Sequence, residues 1–391
     1  MLDYDANPPP VVPIPVPEHD SIGTRANSGF ASLSLSRQSA AEVDEEQVKR
    51  LRDQGFTSGL ARSLSSTKAA FPLRIWVVDN SGSMQKDDGH RIVETRKKND
   101  VKIVQCTRWD EIRECVDYHL QMSALLNAPT HFRLLNHPGA GVGTQQFGVA
   151  EGGPDAVQIE VQKATRIMNR ARPGGVTPLT EHIREIHGIV DGLTPQLMSE
   201  GKRVAIVIAT DGLPTDDQGT GGEHIKQQFI RSLRLLEGLP IWVVIRLCTD
   251  ESDVVDFYNR LDEELELSME VLDDFVGEAE EVHEENPWLN YCLPLHRLRE
   301  MGFHDRIFDM MDERLLTKGE LRDFCVLLFG LDKMDGVPDP NVDWSGFLKN
   351  VDSLLKQESF QWNPIKKKVM PWMDIKKLHK CYGDGSACAI M

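Results

Sequence analysis

Basic residues are in deficit: 44 Lys and Arg stand against 61 Asp and Glu, a formal net charge of −17 at pH 7. Phosphate neutralisation needs a basic face, so nucleic acid is not an expected partner of so acidic a chain. Long apolar runs are missing as well. Runs such as residues 204–209 and 241–244 fall far short of the roughly 20 residues needed to cross a bilayer. The opening Met1-Leu2-Asp3-Tyr4-Asp5 has neither a basic n-region nor an apolar h-region, so no signal peptide is expected. Cysteine is scarce: seven residues in 391, none in C-x-x-C spacing, which disfavours a disulfide framework and a zinc site. These absences describe a soluble, acidic protein whose expected setting is the cytoplasm.

What is present divides the chain into five parts. Residues 1–45 carry six prolines in the first 17 positions, then a Ser/Ala/Gly-rich stretch, and are expected to form a disordered arm. Residues 46–70 suggest a short helical lead-in. From residue 71 to 285, apolar strand-like runs alternate with helical stripes. Trp109, Ile112, Val116 and Leu120 make one stripe, and Val157, Val161, Ala164 and Met168 another. Leu179, Ile183, Ile186 and Val190 make a third, and Ile225, Phe229, Leu233 and Leu236 a fourth. Residues 204–209 and 241–248 are apolar runs, the second carrying only Arg246 as a polar residue, of the kind buried on both faces of a parallel sheet. The expected fold is therefore α/β, a doubly wound, mostly parallel Rossmann-like sheet with helices on both faces. Residues 251–285 hold 15 carboxylates against one Arg and predict an acidic-faced helix, an edge strand and a further helix. Residues 286–360 predict a small helical module, and 361–391 a basic tail.

Sites in such folds lie where strands end and loops enter helices. The first strand, residues 73–78, runs into Asp79-Asn80-Ser81-Gly82-Ser83-Met84, a D-x-S-x-S pattern. Gly174-Gly175-Val176-Thr177-Pro178-Leu179 opens the third helix, with Pro178 suited to its first turn. The strand at 204–209 ends in Thr210-Asp211-Gly212. Two carboxylates and three hydroxyls are thus expected on one edge. Magnesium prefers about six oxygen ligands in near-octahedral geometry and keeps some water. Asp79, Ser81 and Ser83 alternate along a loop, Thr177 adds a third hydroxyl, and Asp211 can hold a water from the far side. Gly82 and Gly212 are expected to permit the tight backbone.

At these residues the chain resembles the von Willebrand factor A domain and its metal-ion-dependent adhesion site. The family pattern is D-x-S-x-S, then a Thr, then an Asp, and Asp79, Ser81, Ser83, Thr177 and Asp211 fill it. The resemblance covers residues 71–285. It implies Mg²⁺, with Mn²⁺ or Ca²⁺ as substitutes, and a protein partner whose Asp or Glu completes the coordination. It does not imply catalysis, and no catalytic residue is assigned. A Ser/His/Asp arrangement and a G-x-x-x-x-G-K-[ST] loop are absent from the sequence, and the twelve histidines lack H-E-x-x-H spacing. His182 and His187 are expected on a helix surface. Gly139-Ala140-Gly141-Val142-Gly143 falls between two strands and predicts a turn rather than a nucleotide loop. Asp332 to Asp343 lacks the order of a calcium loop and contains two prolines.

One insert departs from a minimal domain of that family. Between Met84 and Trp109, residues 91–95 and 101–105 alternate apolar and polar. Residues 85–108 therefore predict a β-hairpin beside the metal, whose basic tip, Arg96-Lys97-Lys98, touches the acidic partner.

The chain closes on Cys388-Ala389-Ile390-Met391, a match to the C-a-a-X prenylation signal. Upstream stand Lys366, Lys367, Lys368, Lys376, Lys377 and Lys380, with Cys381 as a second acyl acceptor. A lipid on Cys388 and a basic cluster would hold the protein to the cytoplasmic face of an anionic membrane. Finally, Leu51-Arg52-Asp53-Gln54-Gly55-Phe56 and Leu298-Arg299-Glu300-Met301-Gly302-Phe303 share L-R-x-x-G-F. Each is similar to the first helix and loop of ubiquitin-associated domains, which makes ubiquitin a weaker partner candidate. The expected function is an intracellular adaptor or scaffold that binds a protein through Mg²⁺. A regulatory subunit of an ATPase or ubiquitin-related complex is the alternative, and a metal-dependent hydrolase a more distant one.

Overall fold

Two short helices, α1 (Glu45–Asp53) and α2 (Ser58–Ala70), open the computed structural model, which describes residues 44–97 and 100–383. Next come β1 (Leu73–Val78), the hairpin β2 (Gly89–Glu94) and β3 (Val101–Cys106), then α3 (Arg108–Leu126), β4 (Thr130–Leu134) and β5 (Gln146–Val149). The alternation continues with α4 (Val157–Arg170), α5 (Leu179–Glu200), β6 (Val204–Thr210) and α6 (Glu223–Arg234). It closes with β7 (Ile241–Leu247), α7 (Ser252–Glu264), β8 (Met269–Leu272) and α8 (Phe275–Glu285). Helices α9 (Leu293–Glu300), α10 (Arg306–Met311), α11 (Lys318–Phe329), α12 (Leu331–Met334) and α13 (Trp344–Leu355) follow. The hairpin β9 (Gln361–Asn363) with β10 (Lys368–Met370), and then α14 (Ile375–Tyr382), end the described chain.

The main sheet has six strands in the order β5-β4-β1-β6-β7-β8, and only β4 and β5 pair antiparallel. This is the expected α/β fold. Every residue of β1, β6 and β7 is buried, which is why these strands read as apolar runs, interrupted only by Arg74 in β1 and Arg246 in β7 and ended by Thr210 in β6. The helices bury one stripe each. In α4 it is Val157, Val161, Ala164, Ile167 and Met168, and in α6 Ile225, Phe229, Ile230 and Leu233. Because β5 runs backward, α4 runs back toward the carboxyl edge of the sheet. Its last turn, not its first, therefore arrives at the edge where β1 and β6 end.

Residues 286–360 do not stand apart as a module of their own. Val48, Leu51, Leu60 and Leu64 of α1 and α2 share a core with Leu295, Phe308, Phe324, Leu328, Phe347 and Val351. Helices of four to thirteen residues cannot close a core alone, so the lead-in and the C-terminal helices close one together. Residues 361–383 belong to it too: Trp362, Trp372, Met373 and Leu378 are buried, and Cys381 packs against the same core. The two L-R-x-x-G-F copies are identical helix stops. Gly55 and Gly302 take φ of +101° and +77°, and the N–H of Phe56 and Phe303 returns to the carbonyl of Leu51 and Leu298, 3.2 Å in both. The second turn lies against the sheet, with Arg74 Nε donating to the Met301 carbonyl at 3.3 Å and His304 stacked on Trp242 at 3.9 Å.

The insert is a hairpin, paired from Gly89–Cys106 to Glu94–Val101, but it does not point its tip at the expected place. Its root meets the start of α3, where Arg108 N–H donates to the Lys86 carbonyl at 3.0 Å. Ile92, Val101 and Ile103 then pack on the helical lobe's core. Arg96 and Lys97 share a groove with Tyr118 and Gln121, ten or more residues along α3 from Arg108 and so about 15 Å down its axis. The apolar face of the hairpin decides this, since it needs a core to cover. Lys98 lies outside the described residues, as do Cys388 and nearly all of the arm at 1–45.

Candidate metal centre

The chain leaves β1 for β4 on one side and returns to β6 on the other, so β1 and β6 are neighbours whose loops diverge. Asp79 follows β1 and Asp211 follows β6, at the point where open α/β sheets bind ligands. The main chain continues the sheet into the site: Asp79 N–H donates to the Ala209 carbonyl at 2.9 Å. Its carboxylate accepts from Ser81 N–H at 2.8 Å and from Thr210 Oγ1 at 2.7 Å. Ser81 and Ser83 hydroxyls lie 3.0 Å apart, and Ser83 Oγ donates to Asp211 Oδ1 at 2.8 Å. A Cβ on Gly212 would stand 3.9 Å from Thr177 Oγ1, which puts the third hydroxyl beside the same loop. Asp79, Ser81, Ser83, Thr177 and Asp211 are thus gathered on one edge.

Three loops are tied to one another by residues outside that set. Thr177 N–H donates to Thr215 Oγ1 at 2.9 Å, and Thr215 N–H returns to the Thr177 carbonyl at 3.0 Å. Gly174 N–H reaches the Asn80 carbonyl at 2.8 Å and Gly82 N–H the Gly175 carbonyl at 3.2 Å. Asn80 and Asn136 exchange bonds, Asn136 N–H to Asn80 Oδ1 at 2.7 Å and Asn80 Nδ2 to the Asn136 carbonyl at 3.0 Å. The Asn136 amide also donates to the Val176 carbonyl at 2.7 Å. The demanding glycine is Gly175, at φ +95° with a Cβ position 2.4 Å from Asn136 Oδ1. Gly82 and Gly212, expected to be the tight positions, have no positive φ and ordinary space.

Charge in this site is unbalanced. Asp79 and Asp211 are both buried. Burial first, and then the Asp211 charge, push the Asp79 carboxyl up to about 6. The cation in contact is Arg108, itself buried, with Nη1 2.9 Å from Asp211 Oδ2. Arg108 also grips Asp88 with two bonds of 2.6 Å and Glu251 with one of 2.7 Å. Lys86 pairs with Glu251 from outside. The Arg108 bonds hold the Asp88 carboxyl below its ordinary value, and Lys86 with Arg108 does the same for Glu251. Two buried carboxylates and three hydroxyls facing less than one full positive charge fit a hard divalent cation with oxygen ligands.

Arg108 was not among the expected site residues. One signal could have found it: it is the first residue of α3 after the Thr107 cap, where the helix dipole disfavours a cation unless carboxylates hold it. Pro178 caps α5 instead of occupying its first helical position. His182 is buried, not on a surface, with Nε2 3.1 Å from the Leu135 carbonyl. Burial, with Arg133 nearby, pushes it down to about 4. It lies on the inner face of α5, whose stripe is one position wider than the Ile/Val spacing indicates.

A second cluster has metal-ligand residue types. Cys115 and His119, one turn apart on α3, meet Glu300 of α9, all three buried. Glu300 is already saturated: Arg297 at 2.8 Å, His119 at 3.1 Å, His296 at 3.4 Å and Arg246 at 3.6 Å surround it. Burial alone would raise the Glu300 carboxyl, but Arg297 and the histidines hold it well below the ordinary range. Its surroundings already supply the positive charge that an ion would bring. The chain matches no protein-family model and no curated protein.

Proposed function

We propose that this chain is an adaptor that captures a protein through a divalent ion held by Asp79, Ser81, Ser83, Thr177 and Asp211. The observation that carries the proposal is the buried Asp79–Asp211 pair, short of positive charge, at the open carboxyl edge of the sheet. When bound, the ion supplies an electrophilic position that a partner's carboxylate can occupy. The chain's own part is to hold the oxygens: the Asn80–Asn136–Val176 ladder and the Thr177–Thr215 exchange fix the loops, and Ser83 orients Asp211. The edge suits an acidic partner in another respect. The last turns of α4 and the segment after it carry Lys163, Arg166, Arg170 and Arg172, all exposed, and none is in an ion pair among the described residues. In a chain of net charge −17 such a row is the local exception, and it steers anionic surfaces to this side.

The test is partner capture from lysate with Mg²⁺ or EDTA, using wild type and Asp79→Ala. Proteins retained only by wild type with Mg²⁺ are expected. The same set retained in all four conditions would sink the proposal.

A further inference from the structure

Arg108 occupies a place that a site built only to hold a divalent ion would leave empty. Its guanidinium is buried, and one nitrogen is spent on Asp211. The rest of the fork is held by Asp88 and Glu251, whose side chains are about half exposed, 56% and 48%. The clamp is built into the fold. A Cβ on Gly89 would lie 2.8 Å from Arg108 N and from the Thr107 carbonyl, so the Lys86–Gly89 segment runs tight against the start of α3. Arg108 therefore cannot swing aside without moving the root of the hairpin.

We infer that Arg108 is a resident competitor for the ion, a fixed cation that weakens ion binding at Asp211 and whose strength Asp88 and Glu251 set. The inference rests on the proposed metal site, and it gives that site a regulated affinity. A positive charge on a ligand carboxylate repels a divalent ion, and the repulsion is little screened because both partners are buried. Asp88 and Glu251 pull the same charge outward and partly cancel it. Removing Arg108 and removing its outer partners should therefore shift ion affinity in opposite directions. A guanidinium that merely braced the loops would make every such change a loss. Because Asp88 lies in the lead-in to the hairpin, a partner that draws Asp88 away from Arg108 would weaken ion binding, in the same direction as Asp88→Asn.

The experiment is calorimetric titration of the full chain with MgCl₂ and with MnCl₂, comparing wild type, Arg108→Met, Arg108→Lys, Asp88→Asn and Asp79→Ala. Circular dichroism on each checks the fold. Arg108→Met is expected to bind about tenfold more tightly than wild type, Arg108→Lys to remain near wild type, and Asp88→Asn to bind about threefold more weakly. Arg108→Met binding no more tightly than wild type, while Asp79→Ala abolishes binding, would overturn the competitor and leave the metal site standing. Failure of every variant to bind either ion would overturn both. If Arg108→Met proves unfolded, Arg108→Gln takes its place, and binding there no tighter than wild type contradicts the inference.

Discussion

Two buried charge clusters sit along α3, one at its first residue and one near its middle, at Cys115 and His119, and they are opposites in balance. At its first residue, Asp79 and Asp211 share a fraction of one guanidinium, and the Asp79 carboxyl is pushed up to about 6. Further along, Glu300 alone draws Arg297, Arg246, His119 and His296, and is held well below its ordinary range. Residue types alone would rank the second cluster as the better metal site, since it has a Cys, a His and a Glu in reach of one another. Charge balance reverses that ranking. The saturated cluster is a joint that fastens α9 and the helical lobe to the sheet, and the deficient one is the edge proposed to hold the ion.

The largest expected effect tests the joint. Glu300→Ala leaves Arg297 buried without its carboxylate, while Arg246 keeps Glu111, and should cost about 3–5 kcal/mol in urea unfolding. Because the Glu300 carboxyl is depressed in the fold, its contribution is present above the ordinary Glu range and is lost as pH falls through the folded value. A cost under about 1 kcal/mol would show that the lobe is held by its apolar core alone.

The metal edge should show the opposite sign. Asp79 binds its proton more tightly folded than unfolded, so its term is favourable at low pH and is lost as pH rises from about 4 through about 6. In EDTA at pH 7.5, Asp79→Asn should therefore be more stable than wild type, on the order of 2 kcal/mol. With Mg²⁺ the order should narrow or reverse, since only wild type gains the roughly 2.7 kcal/mol that a ligand gives at about 100 times its Kd. An Asp79→Asn chain less stable than wild type in EDTA would mean that the site is already neutralised.

The smallest effect concerns the hairpin. Reversing Arg96, Lys97 and Lys98 to Glu should leave stability within about 0.5 kcal/mol. It should also leave Mg²⁺-dependent capture unchanged, because Arg96 and Lys97 lie down α3 from the edge. Loss of capture would place the tip in the partner's path after all.

Much of the fold was legible because its signals are local. Residues 73–78, 204–209 and 241–248 carry no polar period, and each is a strand of the main sheet, in whole or in large part. The stripes through Val157 and Ile225 are helices at almost those bounds. That Asp79, Ser81, Ser83, Thr177 and Asp211 fall on one edge was legible for the same reason, each lying just past a strand or just before a helix. What was not legible depends on partners far apart in the chain. Arg108 and Asp211 are 103 residues apart, and nothing near Arg108 names Asp211. The shared core of Leu51 and Leu328 joins segments that the chain visits first and last. The lean of the hairpin follows from where Ile92 and Ile103 find cover, which no alternation of apolar and polar residues can state.

Asn136 has a consequence for rates. Its backbone N–H bonds the loop that carries Asp79 and its side-chain amide the loop that carries Thr177, so the frame is assembled before any encounter. A partner then has no loop to fold and only an orientation to find. On the proposed function, association would be limited by how the partner's carboxylate approaches the edge, and the lifetime of the complex by how firmly the ion is held.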